Sequence, residues 1–184
     1  MLYTILFAGH MIDKEEREEP RFAAAKENEI KEVMREQLLK ETAFAKKAVR
    51  GIASGACGGD ILFHELCMEY NIPTHIYLAM PAAEFKKTSV SFAGKNWENR
   101  FDNLVNKLPA SILPNEKVQN NKVNVWEQTN LLMLKKALEN GGENMSLIAV
   151  WDGEKGDGDG GTEHMIKIAK EKGARINIID IKKI

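Results

Sequence analysis

Cysteine is scarce in this chain: Cys57 and Cys67 are the only two in 184 residues. Two thiols build no disulfide framework and, unaided, no metal site, so reduced thiols in a cytoplasmic protein are the simplest expectation. Net charge is also lacking, because 26 Lys and Arg stand against 27 Asp and Glu, leaving a formal charge of -1. That balance removes the electrostatic footprint expected of a protein gripping nucleic acid or an anionic membrane, while leaving room for a small basic pocket. No stretch approaches the roughly 20 consecutive apolar residues needed to span a bilayer. The opening MLYTILFAGH has no basic leader, its apolar run is short, and an acidic run follows over 15–19. A buried strand fits it better than a signal peptide. Internal repeats are missing as well.

What is present is ordinary for one globular domain over 1–184, with 43% hydrophobic and 29% charged residues. A continuous apolar run over 3–8 predicts a strand buried on both faces. A polar loop over 11–25 leads to a helix from residue 26, whose apolar stripe is Ile30, Val33, Met34, Leu38, Phe44, Ala45 and Ala48. Lys and Glu on its other side read as a solvated face. Strands are predicted over 49–53, 75–80, 146–151 and 175–181, with a short one around 111–113. Helices are predicted from residue 60 to the Asn71-Ile72-Pro73 stop, over 82–89, 92–108, 124–140 and 162–172. This alternation predicts an α/β fold, a Rossmann-like three-layer sandwich with a mainly parallel sheet. Ligands of such sheets bind beyond the carboxyl ends of the strands.

Four strand ends therefore matter. The first is Gly9-His10, where the histidine is either a ligand contact or general base, or a structural anchor for the loop. The second is Ser54-Gly55-Ala56-Cys57-Gly58-Gly59-Asp60, whose small residues before a helix make a generic phosphate cradle. It is neither a Walker A loop nor a G-x-G-x-x-G fingerprint. Asp60 either caps the helix or meets a ribose hydroxyl. Cys57 invites a nucleophile reading, but no orienting third residue accompanies it and catalysis is not assigned to it. After the third strand, Glu84 and Ser89 either reach a ligand or belong to an ordinary amphipathic turn. Arg100 is the most plausible phosphate-binding side chain, or a surface arginine. The fourth end runs from Asp152 through Gly160, Gly161 and Thr162 and forms a second cradle. An EF-hand register from Asp152 puts Gly156 and Asp157 where a ligand and a glycine are wanted, so calcium is not expected. The histidines show no ligand spacing, and no metal or cofactor is assigned.

Taken together, IASGACGGDILFHELC over 52–67, with FAGHMID, PAAEFKKTSV, WEQTN and the late Gly-Gly-Thr, resembles the SLOG superfamily. That group joins the DNA-processing protein A fold with the lonely-guy phosphoribohydrolases. The resemblance covers nearly the whole chain and implies a modified Rossmann fold that binds nucleotides or nucleotide-derived signals. Members in antiviral defence sense cyclic or ADP-ribose-like molecules. Carried over, the contacts are Gly9, Ser54, Gly55, Gly58, Gly59, Asp60, Gly160, Gly161 and Thr162. The lonely-guy motif Pro-Gly-Gly-x-Gly-Thr-x-x-Glu ends in a catalytic glutamate, and aligning Gly161-Thr162 puts Met165 there. Glu163 points about 200° away from it on a helix.

The expectation is therefore a non-catalytic sensor or sponge for a nucleotide-derived small molecule. The alternative is an enzyme cleaving an N-glycosidic or phosphate bond with Glu84 or Asp60; a single-stranded DNA binder is weaker still. The resemblance also allows a homodimer or higher oligomer, with the leucines of 124–140 as core or interface.

Overall fold

The computed structural model describes residues 1–14, 16–17, 20–114, 124–154 and 161–184. Its strands are β1 (Tyr3–Gly9), β2 (Val49–Ala53), β3 (Thr74–Leu78), β4 (Ala110–Ile112), β5 (Met145–Trp151) and β6 (Arg175–Asp180). Its α-helices are α1 (Glu27–Ala45), α2 (Gly59–Glu69), α3 (Ala82–Ser89), α4 (Lys95–Lys107), α5 (Val125–Ala137) and α6 (Thr162–Glu171). Among the described residues these strands all pair in parallel, in the order β4-β3-β2-β1-β5-β6. This is the Rossmann-like three-layer sandwich expected from the sequence.

Period-two alternation divides β1 between two cores. Ile5 and Phe7 join Ile30 and Met34 of α1, Leu62 of α2 and Phe101 of α4 on one face. Leu6 and Ala8 join Met133 and Leu134 of α5 and Met165 of α6 on the other. Each such fully buried aliphatic or aromatic side chain contributes about 1.5–3 kcal/mol. β5 is buried on both faces in the same way, which explains the uninterrupted apolar runs of both central strands.

The departures from periodicity lie in α1. Helix α1 stops at Ala45, so Ala48 falls beyond it and is exposed. Phe44 is half exposed, with the Arg175 guanidinium 3.7 Å above its ring. Glu41, expected on the solvated face, is instead buried, accepting from the Tyr3 hydroxyl at 3.1 Å and from Arg175 Nη2 at 3.1 Å. Among the described residues, no helix is long and apolar enough to cross a membrane.

Candidate functional site

β1 and β5 lie side by side, paired up to Gly9 and Val150. From β1 the chain proceeds outward to β2, and from β5 outward to β6. Strand order reverses between them, and that is where an open α/β sheet leaves a crevice. A cleft occupies it, with one lobe of about 480 Å³ and another of about 610 Å³. The lobes meet at Gly9, Met11, Gly161 and Thr162.

The first lobe has an aromatic wall made of Phe85 on α3 and Trp126 on α5, with ring centroids 5.6 Å apart. Met133 and Met165 supply apolar surface, and Ser54, Ala56, Asp60 and Ser89 come from the β2 and β3 sides. Helix α5 adds Glu127 and Asn130. Its start is fixed by Asn124, whose side-chain oxygen accepts from the N–H groups of Trp126 and Glu127. Trp126, Asn130 and Met133 then share one helical stripe at i, i+4 and i+7.

Asp60 is 8% exposed, and among the described residues no cation is paired with it. Burial raises its carboxyl from 3.8 to about 7, against the opposing effect of the Ala56 N–H. It does not cap α2, because the N-cap is Gly58 and Asp60 sits inside the first turn. Its Oδ2 turns back to accept from Ala56 N at 3.1 Å. A carboxyl near neutrality in a cleft can accept from a sugar hydroxyl or exchange a proton.

The SGACGGD loop is less of a cradle than its composition predicts. Ala56 N–H is taken by Asp60, Cys57 N–H donates to the Ser89 carbonyl at 3.0 Å, and Gly59 N–H donates to the His10 carbonyl at 3.2 Å. The glycines serve close approach. Gly58 has φ +97°, and a Cβ there would fall 2.7 Å from Ile12 N; a Cβ on Gly59 would meet the Phe7 ring at 2.7 Å. Neither lines the cleft. Gly55 is also outside it, backed by Phe101 and Leu78. Behind the loop, neutral His64 is fully buried, donating from Nε2 to the Ser54 carbonyl and accepting at Nδ1 from the Thr74 hydroxyl, both at 2.8 Å. Burial lowers its pKa to about 4.

The second lobe holds His10, with Lys14, Arg17 and Arg21 from the following loop and Phe92 and Trp151 as aromatic surface. Asp152 is buried beneath it. Burial opposes its charge, but the Glu154 N–H at 3.0 Å, His10 and Arg21 outweigh that and hold the carboxyl below its ordinary value. His10 Nε2 lies 3.3 Å from Asp152 Oδ1, off the hydrogen-bonding line, and Arg21 Nε is 3.1 Å from Oδ2. Burial lowers the His10 pKa despite the attraction of Asp152, which favours the neutral ring.

Several expected contacts are elsewhere. The Cys57 side chain is in the core, its thiol pushed up to about 12 by burial, which ends the nucleophile reading. Glu84 is exposed and lines neither lobe, because it faces outward from α3. Arg100 is far from phosphate duty: its fork grips both Glu65 oxygens at 2.7 Å and Glu27 at 2.7 Å, tying α4 to α2 and α1. Gly160 and the acidic positions 157 and 159 lie outside the described residues. No group of metal-ligating side chains occurs among the described residues. The sequence reading missed the face of α5; the sign of it was a tryptophan in a polar first turn, sharing a helical stripe with Asn130 and Met133.

Comparison with known proteins finds neither a family model nor a curated protein that matches the chain.

Proposed function

We propose that this chain binds a nucleotide or nucleotide-derived second messenger, of cyclic-nucleotide or ADP-ribose type, and leaves it intact. The observation that carries this reading is the aromatic-walled cleft at the strand-order reversal, polar on its β2, β3 and α5 sides. Trp126 is 40% exposed at the cleft, which leaves ring surface on which a base can stack. A base stacked on an aromatic side chain gains about 1–3 kcal/mol. Carboxylates and amides nearby can accept from and donate to ribose and base edges. Helix α6 begins at the junction of the lobes, where its N-terminal N–H groups and positive end suit a phosphate. Met165, at the position where the phosphoribohydrolase motif has its glutamate, lines the first lobe as apolar surface. Without that carboxylate the cleft holds its ligand, as a sensor reporting to a partner or as a sponge, in antiviral defence or its evasion. Calorimetry against cyclic nucleotides and ADP-ribose derivatives tests this: micromolar binding is expected, and absence of heat across the panel contradicts it.

Asp60 favours one second reading. A buried carboxyl near neutrality inside the cleft is the form a general acid or base takes, as an enzyme cleaving an N-glycosidic or phosphate bond requires. Chromatography of incubated nucleotides separates the two readings. Unchanged nucleotide supports binding alone; turnover abolished by Asp60→Asn establishes the hydrolase.

A further inference from the structure

We infer that the base held in the first lobe is guanine, read by the Asp60 carboxylate through its N1–H and N2 amino donors. This rests on the nucleotide reading above and adds which base the cleft selects.

The lining of this lobe is one-sided in charge. Asp60 comes from the first turn of α2 and Glu127 from that of α5, and no Lys or Arg joins them among the described residues. Asp60 is also short of donors. It is 8% exposed, and among the described residues its one hydrogen bond runs from Ala56 N–H to Oδ2 at 3.1 Å, which leaves Oδ1 without a donor. A carboxylate only accepts, and a buried one left short of donors costs free energy. The group that completes this lobe must bring N–H or O–H donors and no negative charge.

The bases differ in what they bring at the edge that pairs in a duplex. Guanine presents N1–H and the N2 amino group side by side, two donors that match two carboxylate oxygens. Oδ2 keeps a second lone pair beside the one Ala56 uses, so both oxygens can serve. Adenine and cytosine set one amino donor beside a bare ring nitrogen, whose lone pair faces the second oxygen and is repelled. Uracil has a single N–H between two carbonyls. The Ser54 and Ser89 hydroxyls line the same lobe and can donate to the guanine O6. Trp126 and Phe85 supply the aromatic surface on which the purine stacks.

Burial raises Asp60 to about 7, so near neutrality both of its forms are present. The charged form accepts both guanine donors, whereas the protonated form suits adenine, donating to N1 and accepting from N6. Two features favour guanine. Its pairing is charge-assisted at both contacts, roughly twice as strong as neutral ones, and Glu127 adds a further acceptor to the lobe. The two bases also respond oppositely to pH. Cys57 and His64, the ionisable neighbours on the same loop and helix, keep their charge between pH 5.5 and 8, with pKa values of about 12 and about 4. Glu127 is the other ionisable side chain lining the lobe.

The test is calorimetry with guanosine, inosine and adenosine, each as the 5′-monophosphate and as the 3′,5′-cyclic monophosphate. In the series that binds, guanosine is expected to be at least tenfold tighter than adenosine at pH 8. Inosine, which keeps N1–H and lacks the N2 amino group, is expected to fall between them. The guanosine-to-adenosine affinity ratio, in which titration of the shared phosphate cancels, is expected to drop at least fivefold from pH 8 to 5.5. Asp60→Asn exchanges one acceptor oxygen for a donor. It is expected to cut the ratio at least tenfold and to abolish its pH dependence, a change of selectivity that loss of structure does not produce. Adenosine or inosine as tight as guanosine, a ratio indifferent to pH, or a folded Asp60→Asn with the wild-type ratio overturns the inference while the nucleotide reading stands. Binding of ADP-ribose alone does the same. Failure of the whole panel of cyclic nucleotides and ADP-ribose derivatives overturns both.

Discussion

Asp60 and His64 sit one helical turn apart and oppose each other in acid. Burial raises Asp60 from 3.8 to about 7 and lowers His64 from 6.5 to about 4. For Asp60, the contribution to stability is full below pH 3.8 and is lost as pH rises through about 7. For His64 it is full above pH 6.5 and is lost as pH falls through about 4. Over the shared window the two largely cancel. Asp60→Asn removes one side of the balance. The variant is expected to exceed the wild type at pH 8 by roughly 2–4 kcal/mol and to lose stability between pH 6.5 and 4, as urea unfolding across pH would show. A stabilised variant with weakened ligand binding marks Asp60 as a group kept for function at the expense of the fold. Arg100→Ala is expected to do the reverse. It takes the guanidinium from Glu27 and Glu65, leaving Glu65 with Lys31 at 3.6 Å, and uncovers Trp97, lowering stability by roughly 1–3 kcal/mol, while ligand affinity stays within twofold. Neither Arg100 nor Glu41 was legible as a structural clamp. Their partners, Glu65 and Arg175, are 35 and 134 residues away in sequence, and local pattern carries no such information.

At the scale of elements, local pattern carried much more. β2 and α3 have the residue limits predicted for them: β2 runs straight into the Ser54-Gly55 turn, and α3 follows Pro81 and buries Phe85 and Ser89. Less legible was what the loops between elements do. The three glycines of SGACGGD read as a phosphate cradle, yet two of them let the loop press against β1. Met11 and Gly58 form an antiparallel bridge, Ile12 N–H donates to the Cys57 carbonyl at 3.2 Å, and the stitch continues to Ser89. Gly58→Ala must therefore break this seam, with its Cβ 2.7 Å from Ile12 N and its φ at +97°. A loss of roughly 2–4 kcal/mol is expected in denaturant unfolding, together with weaker ligand binding, since Ala56, Ser89 and Met11 line the cleft from the seam.

For the whole molecule, alternating strands and helices made the parallel sheet legible, and the rule of strand ends located the site region. Strand order was not legible, and it decides which ends meet. Because the chain crosses from β4 at one edge back to β5 beside β1, the loops after β1 and β5 become neighbours and the start of α5 comes to the same cleft. That crossing brings Trp126 and Asp60 into the lining of the same lobe. It also gives the near-zero net charge a meaning. On the proposed reading, recognition would rest on the aromatic and polar surface of the cleft and not on a basic face, which suits a small nucleotide better than a polymer. The central claim is that a nucleotide-derived molecule binds in this cleft against Trp126. Its most direct test is a calorimetric titration of the panel's tightest nucleotide into wild type and Trp126→Ala at equal, verified folded concentration. One site per chain in the wild type, with affinity at least tenfold weaker in the variant, is the predicted result. Equal affinity in the two proteins, or no binding to the wild type, would contradict it.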